Sequence, residues 1–209
     1  MKIFHPDHII KTLLSVMYIS LVVAFALSIA EQDWLSAFLT FLTLFLMQIP
    51  RFVKRKYDLY IPRSVLAVII IFIYSTLFLG EVQGFYDKFF WWDIVLHIGS
   101  AATFALLGLV ILLLLARSKK ISAHPLLLSI FSFSFAVAIG TLWEIIEFGA
   151  DYYLGTNMQR SGLTDTMGDL IVDACGAVIV STLAYFYLYS GTLDIIDKVI
   201  DRTVKKNSL

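Results

Sequence analysis

The sequence is poor in charge. Lys, Arg, Asp and Glu make up 15% of its residues, where a soluble domain carries about 25%, so most of the chain cannot form a surface that faces water. Neither sign is in excess, with 16 basic and 16 acidic residues, and no net basic face exists to take a nucleic-acid partner. Cysteine is almost absent. The single Cys175 excludes an intrachain disulfide and a cysteine-based zinc site, and its neighbours Ala174, Gly176 and Ala177 lead us to expect a packed, inert thiol. No internal repeat and no low-complexity linker is present, so residues 1–209 read as a single polytopic membrane domain. Two catalytic signatures are also missing: the Gly-x-Ser-x-Gly nucleophile turn and the full Glu-x-x-His pair of di-iron carboxylate bundles.

What fills the chain instead is apolar. Hydrophobic residues account for 59% of it and the mean hydropathy is +0.84. A helix needs about 20 mainly apolar residues to cross roughly 30 Å of hydrocarbon. Six stretches qualify, at about 12–30, 34–50, 64–80, 91–116, 125–150 and 167–190. The second is short, and a tilted or re-entrant helix is the alternative there. The first follows Lys2, His5, Asp7, His8 and Lys11 and is longer than the apolar region of a signal peptide, so it reads as a span rather than a cleaved leader.

Basic residues orient these spans. With a cytoplasmic N-terminus, every Lys and Arg except Lys88 and Arg160 falls on the cytoplasmic side, which is the positive-inside pattern. Trp91, Trp92 and Trp143 then fall at the outer interface, and Tyr185, Tyr187 and Tyr189 at the inner one. After Gly191, Leu193, Ile195, Ile196, Val199 and Ile200 alternate with Asp194, Asp197, Lys198, Asp201 and Arg202 in the manner of a short amphipathic helix on the membrane surface. The expected architecture is an all-α, six-helix membrane bundle with both termini inside, in a bacterial cytoplasmic membrane.

The acidic residues lie mostly toward the other face. Asp93 and His97 are four apart and share a helix face. Glu144, Glu147 and Asp151 share another, and so do Asp165, Asp169 and Asp173. His97 lies roughly 7–8 Å inward of Trp92, and Asp173 roughly 12 Å along its helix from Asp165. Ionisable side chains at membrane depth are costly and usually face the bundle interior, where they mark a pathway or site. Asp165 alone reads more readily as a helix-start carboxylate, and Asp87 and Asp151 as solvated loop or helix-end residues. The set His97, Glu144, Glu147, Asp169 and Asp173 reads as a functional cluster. Between the last two spans, the polar loop from Leu154 to Thr164 carries Arg160, which suits either an ion pair or a bidentate contact to a phosphate or carboxylate.

Three of these blocks resemble the YjdF-like bacterial inner-membrane proteins: the segment from Tyr86 to His97 with Trp91-Trp92-Asp93 and His97, then Trp143-Glu144-Ile145-Ile146-Glu147, then Asp165-Thr166-Met167-Gly168-Asp169 through Asp173. The similarity covers roughly residues 60–190. A looser similarity extends to VanZ-like membrane proteins, from whose Asp-Lys-x-x-His pattern this chain departs, since Lys88 and His97 are farther apart. Neither resemblance implies an established reaction.

One imidazole with several carboxylates suits a hard or borderline divalent cation, Mg²⁺, Mn²⁺ or Zn²⁺. The leading expectation is a metal-dependent membrane enzyme acting on a lipid head group or lipid-linked substrate. In it His97, Glu144, Asp169 and Asp173 are ligands, Glu147 and His97 serve the chemistry, and Arg160 and Asp93 contact substrate. The alternatives are a proton- or cation-coupled transporter and a non-catalytic structural or binding protein. A transporter needs polar residues that continue toward the cytoplasm, whereas the stretches 106–115 and 126–138 are nearly all apolar.

Overall fold

The computed structural model describes residues 6–56, 63–117 and 124–190. The described residues are helical with no strand among them. The helices are α1 (Pro6–Ala30), α2 (Trp34–Leu46), α3 (Ile49–Lys56), α4 (Arg63–Ile73), a π-helical continuation of α4 (Tyr74–Val82), α5 (Phe85–Lys88), α6 (Trp92–Arg117), α7 (Pro125–Leu154) and α8 (Leu163–Ser190). Six helical segments are long and apolar enough to cross a membrane: His8–Ala30, Trp34–Lys56, Val65–Val82, Trp92–Leu113, Pro125–Tyr153 and Leu163–Ser190. The amphipathic segment expected after Gly191 lies outside the described residues.

The second span is longer than the expected stretch ending near 50. Helical bonding passes through Met47 and Gln48, whose amides donate to Thr43 O and Phe45 O at 3.0 Å each. It resumes with Phe52 N donating to Gln48 O at 2.9 Å. Pro50 has no amide to give, so the ladder breaks there, but as the second residue of α3 it sits where a helix tolerates proline. The last span starts earlier than expected, at Leu163, which places Asp165 in the first turn of α8.

The chain divides into two compact units, residues 6–92 and 93–190 of the described chain. In the first, Met17, Leu21, Met47, Ile70 and Phe78 form the buried core. Because lipid is as apolar as these side chains, close van der Waals fit and shared hydrogen bonds hold such helices together rather than expulsion of water. Several polar groups here occur in matched sets, although the buried Thr40 hydroxyl has no hydrogen-bond partner among the described residues. Arg51 Nη1 donates to Tyr18 Oη at 2.6 Å and the guanidinium lies 5.2 Å from that ring's centre; Gln48 Nε2 donates to the same oxygen at 3.1 Å. Ser20 and Tyr74 share a hydrogen bond of 2.8 Å. The π-helical turn ends with Gln83 N donating to Phe78 O at 2.8 Å, and Gly80 within it has the Tyr86 ring where a side chain would stand. Trp92 Nε1 donates to the Ser75 carbonyl at 3.3 Å.

In the second unit, each of the three long helices is apolar all round and turns one narrow stripe inward. The stripe on α8 is Asp169, Asp173, Gly176, Ala177, Ser181 and Ala184. On α6 it is His97, Ala101, Ala105 and Leu109, and on α7 it is Ser129, Ser132, Ala136 and Glu144. Ala105, Ala136 and Ala177 meet at the centre, where the absence of larger side chains lets three backbones approach. Gly176 completes the fit, because a Cβ there would lie 3.0 Å from the Ile98 carbonyl. Cys175 does not share this stripe and is exposed. The expectation of a packed thiol fails because a residue two positions from Asp173 is turned about 200° from it around the helix.

Candidate functional site

The start of α6, the end of α7 and the start of α8 lie at one end of the second unit. The α7–α8 connection is built for this. Gly155 closes α7 in the left-handed conformation (φ 67°) and donates to Asp151 O at 3.2 Å. The Asp151 carboxylate then accepts from Thr156 Oγ1 (2.5 Å), Met158 N (2.7 Å) and Gln159 N (2.8 Å). Asp165 accepts from Arg160 N at 3.1 Å, and Gln159 Nε2 reaches Thr166 Oγ1 at 2.5 Å. Asp151 and Asp165 therefore shape the loop, as helix-end carboxylates do.

Below this loop lies His97, 9% exposed. Its Nδ1 is 3.2 Å from Asp173 Oδ1, a buried hydrogen bond between α6 and α8. Its other nitrogen, Nε2, faces Asp93 Oδ1 at 3.7 Å and Asp169 Oδ1 at 3.9 Å. Asp173 occupies one edge of the ring and leaves the opposite edge to two carboxylates. Asp173 itself is 2% exposed and Asp169 7%. The Asp173 side chain can reach this position because residue 140 on α7 is glycine: a Cβ there would collide with Asp173 Oδ2.

Asp93, His97 and Asp169 each offer one ligand atom, and these three atoms lie within 4.8 Å of one another. Two ligands at about 2.1 Å from a shared ion in tetrahedral geometry stand about 3.4 Å apart. The Nε2–Oδ1 separations of 3.7 and 3.9 Å are too long for hydrogen bonds and close to that spacing. The group can hold a metal ion, and three protein ligands leave a coordination position open, as in catalytic zinc sites. A histidine that ligates through one nitrogen usually has the other held by a carboxylate or carbonyl, and Asp173 stands in that place.

The remaining expected residues stand around this group. Glu144, expected as a ligand, lies one turn beyond Gly140 on α7 and is 3% exposed; its two oxygens belong to no hydrogen bond among the described residues and fall outside the three-atom group. The Thr166 hydroxyl and the charges of His97, Asp173 and Asp165 act on it. Glu147, expected to serve the chemistry, is half-buried and interacts electrostatically with Glu144, His97 and Asp93. Arg160 is half-buried and acts on Asp93. Asp93, expected beside Arg160 as a substrate contact, has its carboxylate in the cation-sized group. The signal for that was its four-residue spacing from His97. Gly140 carried no such signal, since only the packed helices show what its missing side chain admits.

Residues 12–190 match the family described as Predicted membrane protein (DUF2238), and the chain belongs to that family. An uncharacterized protein of Thermotoga maritima is 33% identical over 115 residues, which are 55% of this chain and 57% of that protein. The similarity therefore spans little more than half of the relative's length. No solved structure matches.

Proposed function

We propose that the second unit carries a divalent-cation centre and that the protein is a metal-dependent enzyme of the bacterial cytoplasmic membrane, acting at the outer leaflet on a lipid head group or lipid-linked substrate. One observation carries the reading. The imidazole of His97 is held at Nδ1 by Asp173 (3.2 Å) while Nε2 points between Asp93 and Asp169. Imidazole favours zinc, and carboxylates favour manganese and magnesium; the mixed set suits Zn²⁺ or Mn²⁺ best among the expected ions. A bound ion of this kind lowers the pKa of its water and polarises a phosphoryl or carbonyl oxygen. In this reading Arg160, in the loop above, meets an anionic head group bidentately.

The carrier alternative requires polar groups that continue along the helices. In the far half of the unit the hydroxyls are instead taken up by backbone carbonyls: Ser129 by Pro125 O (3.0 Å), Ser132 by Ala105 O (2.5 Å) and Ser181 by Ala177 O (2.7 Å). They offer no relay across the bilayer, which favours chemistry at one face over passage through.

The test is metal content of detergent-purified protein by inductively coupled plasma mass spectrometry, for wild type, His97→Ala and Asp169→Ala after loading and identical washing. Near-stoichiometric metal in wild type that disappears in both variants is the expected result. Release of head groups or phosphate from a bacterial lipid extract by the loaded wild type, but not by His97→Ala, then tests the enzyme. Equal metal in all three proteins sinks the reading.

A further inference from the structure

We infer that Glu144 marks a second cation position, separate from the one at His97 and sharing Asp173 with it; this rests on the cation-centre reading above. Glu144 is 3% exposed, and neither carboxylate oxygen has a hydrogen-bond partner among the described residues. A buried, unpaired carboxylate is among the costliest groups a fold can hold, and each such group needs its own explanation. The other buried acids of the site are spoken for. Asp169 faces His97 Nε2, and Asp173 Oδ1 binds His97 Nδ1.

Asp173 has a second oxygen, and its direction is the telling feature. Oδ2 lies against α7 where the Cβ of residue 140 would be. Residues 140 and 144 are one turn apart on the same helix face, with Cβ positions about 5–6 Å apart. Asp173 therefore offers Oδ1 to α6 and Oδ2 to the α7 face that bears Glu144. The Thr166 hydroxyl acts on Glu144. Glu144 through both oxygens, Asp173 Oδ2 and Thr166 Oγ1 make an all-oxygen set, which suits Mg²⁺, Ca²⁺ or Mn²⁺ better than zinc.

Charge balance points the same way. Asp93, Glu144, Glu147, Asp165, Asp169 and Asp173 bring six carboxyl groups to one end of the unit, with His97 and Arg160 the basic groups beside them. The carboxyl groups outnumber the basic ones, and uncompensated charge at membrane depth is strongly disfavoured. A second divalent ion offsets negative charge that one ion leaves.

The experiment is Mn²⁺ stoichiometry on the full chain in detergent, comparing wild type with the near-isosteric Glu144→Gln, together with the Mn²⁺ electron paramagnetic resonance spectrum of wild type. About two equivalents in wild type and one in Glu144→Gln are expected, with a wild-type spectrum broadened by coupling between neighbouring ions. One equivalent in both proteins, or two in both, overturns the inference and leaves the His97 centre standing. Loss of all metal in Glu144→Gln at an unchanged melting temperature also overturns it, since Glu144 would then belong to the first position. If Glu144→Gln does not fold, the wild-type spectrum decides alone, and uncoupled ions overturn the inference. Metal retained in full by His97→Ala is instead the failure of the first reading.

Discussion

The two units are made of the same material and treat polarity in opposite ways. In the first, several polar side chains are consumed locally, Arg51 and Gln48 by Tyr18, Ser20 by Tyr74 and the Trp92 indole by a backbone carbonyl, while the buried Thr40 hydroxyl has no hydrogen-bond partner among the described residues. In the second, the central layers are alanine and glycine, and acidic side chains gather at one end around a single imidazole. Matched sets hold helices together where lipid supplies no hydrophobic drive. A cluster rich in one sign of charge does not hold itself together, and its cost is met by protonation or by a bound cation. This contrast separates structural polarity from a site more clearly than the number of polar residues does.

The contrast is most exposed at Asp173, which belongs to both the packing and the cluster. Asp173→Asn preserves size while weakening the grip on His97 Nδ1. Substitutions of a residue that holds a ligating histidine lower metal affinity roughly tenfold to a hundredfold, and competition against a calibrated chelator reads that loss directly. Gly140→Ala asks the same question from the other side. Ala is normally the better helix residue by about 1 kcal/mol, but here the new methyl meets Asp173, and overpacking costs about 1–3 kcal/mol. The melting temperature of Gly140→Ala should fall and its metal affinity with it. Gly99→Ala, where nothing lies within 4 Å of the added methyl, should leave both unchanged or raise stability. Equal behaviour of the two alanine variants would mean that Asp173 is free to move aside and does not position His97.

Much of this was readable from the residues. Six apolar stretches announce six helices because a span has a fixed length, and the polar stripes on the last three announce which ends meet. The ambiguity at residues 34–50 came from Pro50, which looks like a stop in sequence but sits in the first turn of a helix that resumes around it. Cys175 was misjudged because small neighbours say nothing about which face a residue takes; the Asp173, Gly176 and Ala177 phase decides it. Within the site, spacing identified Asp93 and His97 as neighbours, yet it could not tell a residue on one edge of the imidazole from one on the other. That distinction needs α8 placed against α6, and it assigns Asp173 to Nδ1 and Asp169 to Nε2.

A smaller effect tests the other half of the comparison. Tyr18→Phe removes the oxygen that receives both Arg51 and Gln48 but keeps the ring beneath the guanidinium. Loss of the hydrogen bonds should destabilise the protein by about 0.5–1.5 kcal/mol, softened by the retained cation–π contact. Metal stoichiometry should not move. A change in bound metal on Tyr18→Phe would show that the matched sets of the first unit are coupled to the cluster rather than structural.

The smallest expected effect is at Asp33, in the connection between the first two spans. Its carboxylate caps α2 by accepting Ser36 N at 3.1 Å. Hydrogen bonds from the Ser36 side chain first, and then from backbone amides, hold its pKa below the ordinary aspartate value. A group whose pKa is depressed on folding stabilises the fold above its unfolded pKa, and that contribution is lost as pH falls through the folded value. Asp33→Ala should therefore melt slightly below wild type at neutral pH, and the gap should close as the solution is acidified through the depressed pKa. Asp33→Asn, which keeps a capping oxygen without the charge, should lie between them at neutral pH. A gap for Asp33→Ala that stays constant on acidification would assign the effect to helix propensity alone and remove the charged cap from the first unit's set of matched polar groups.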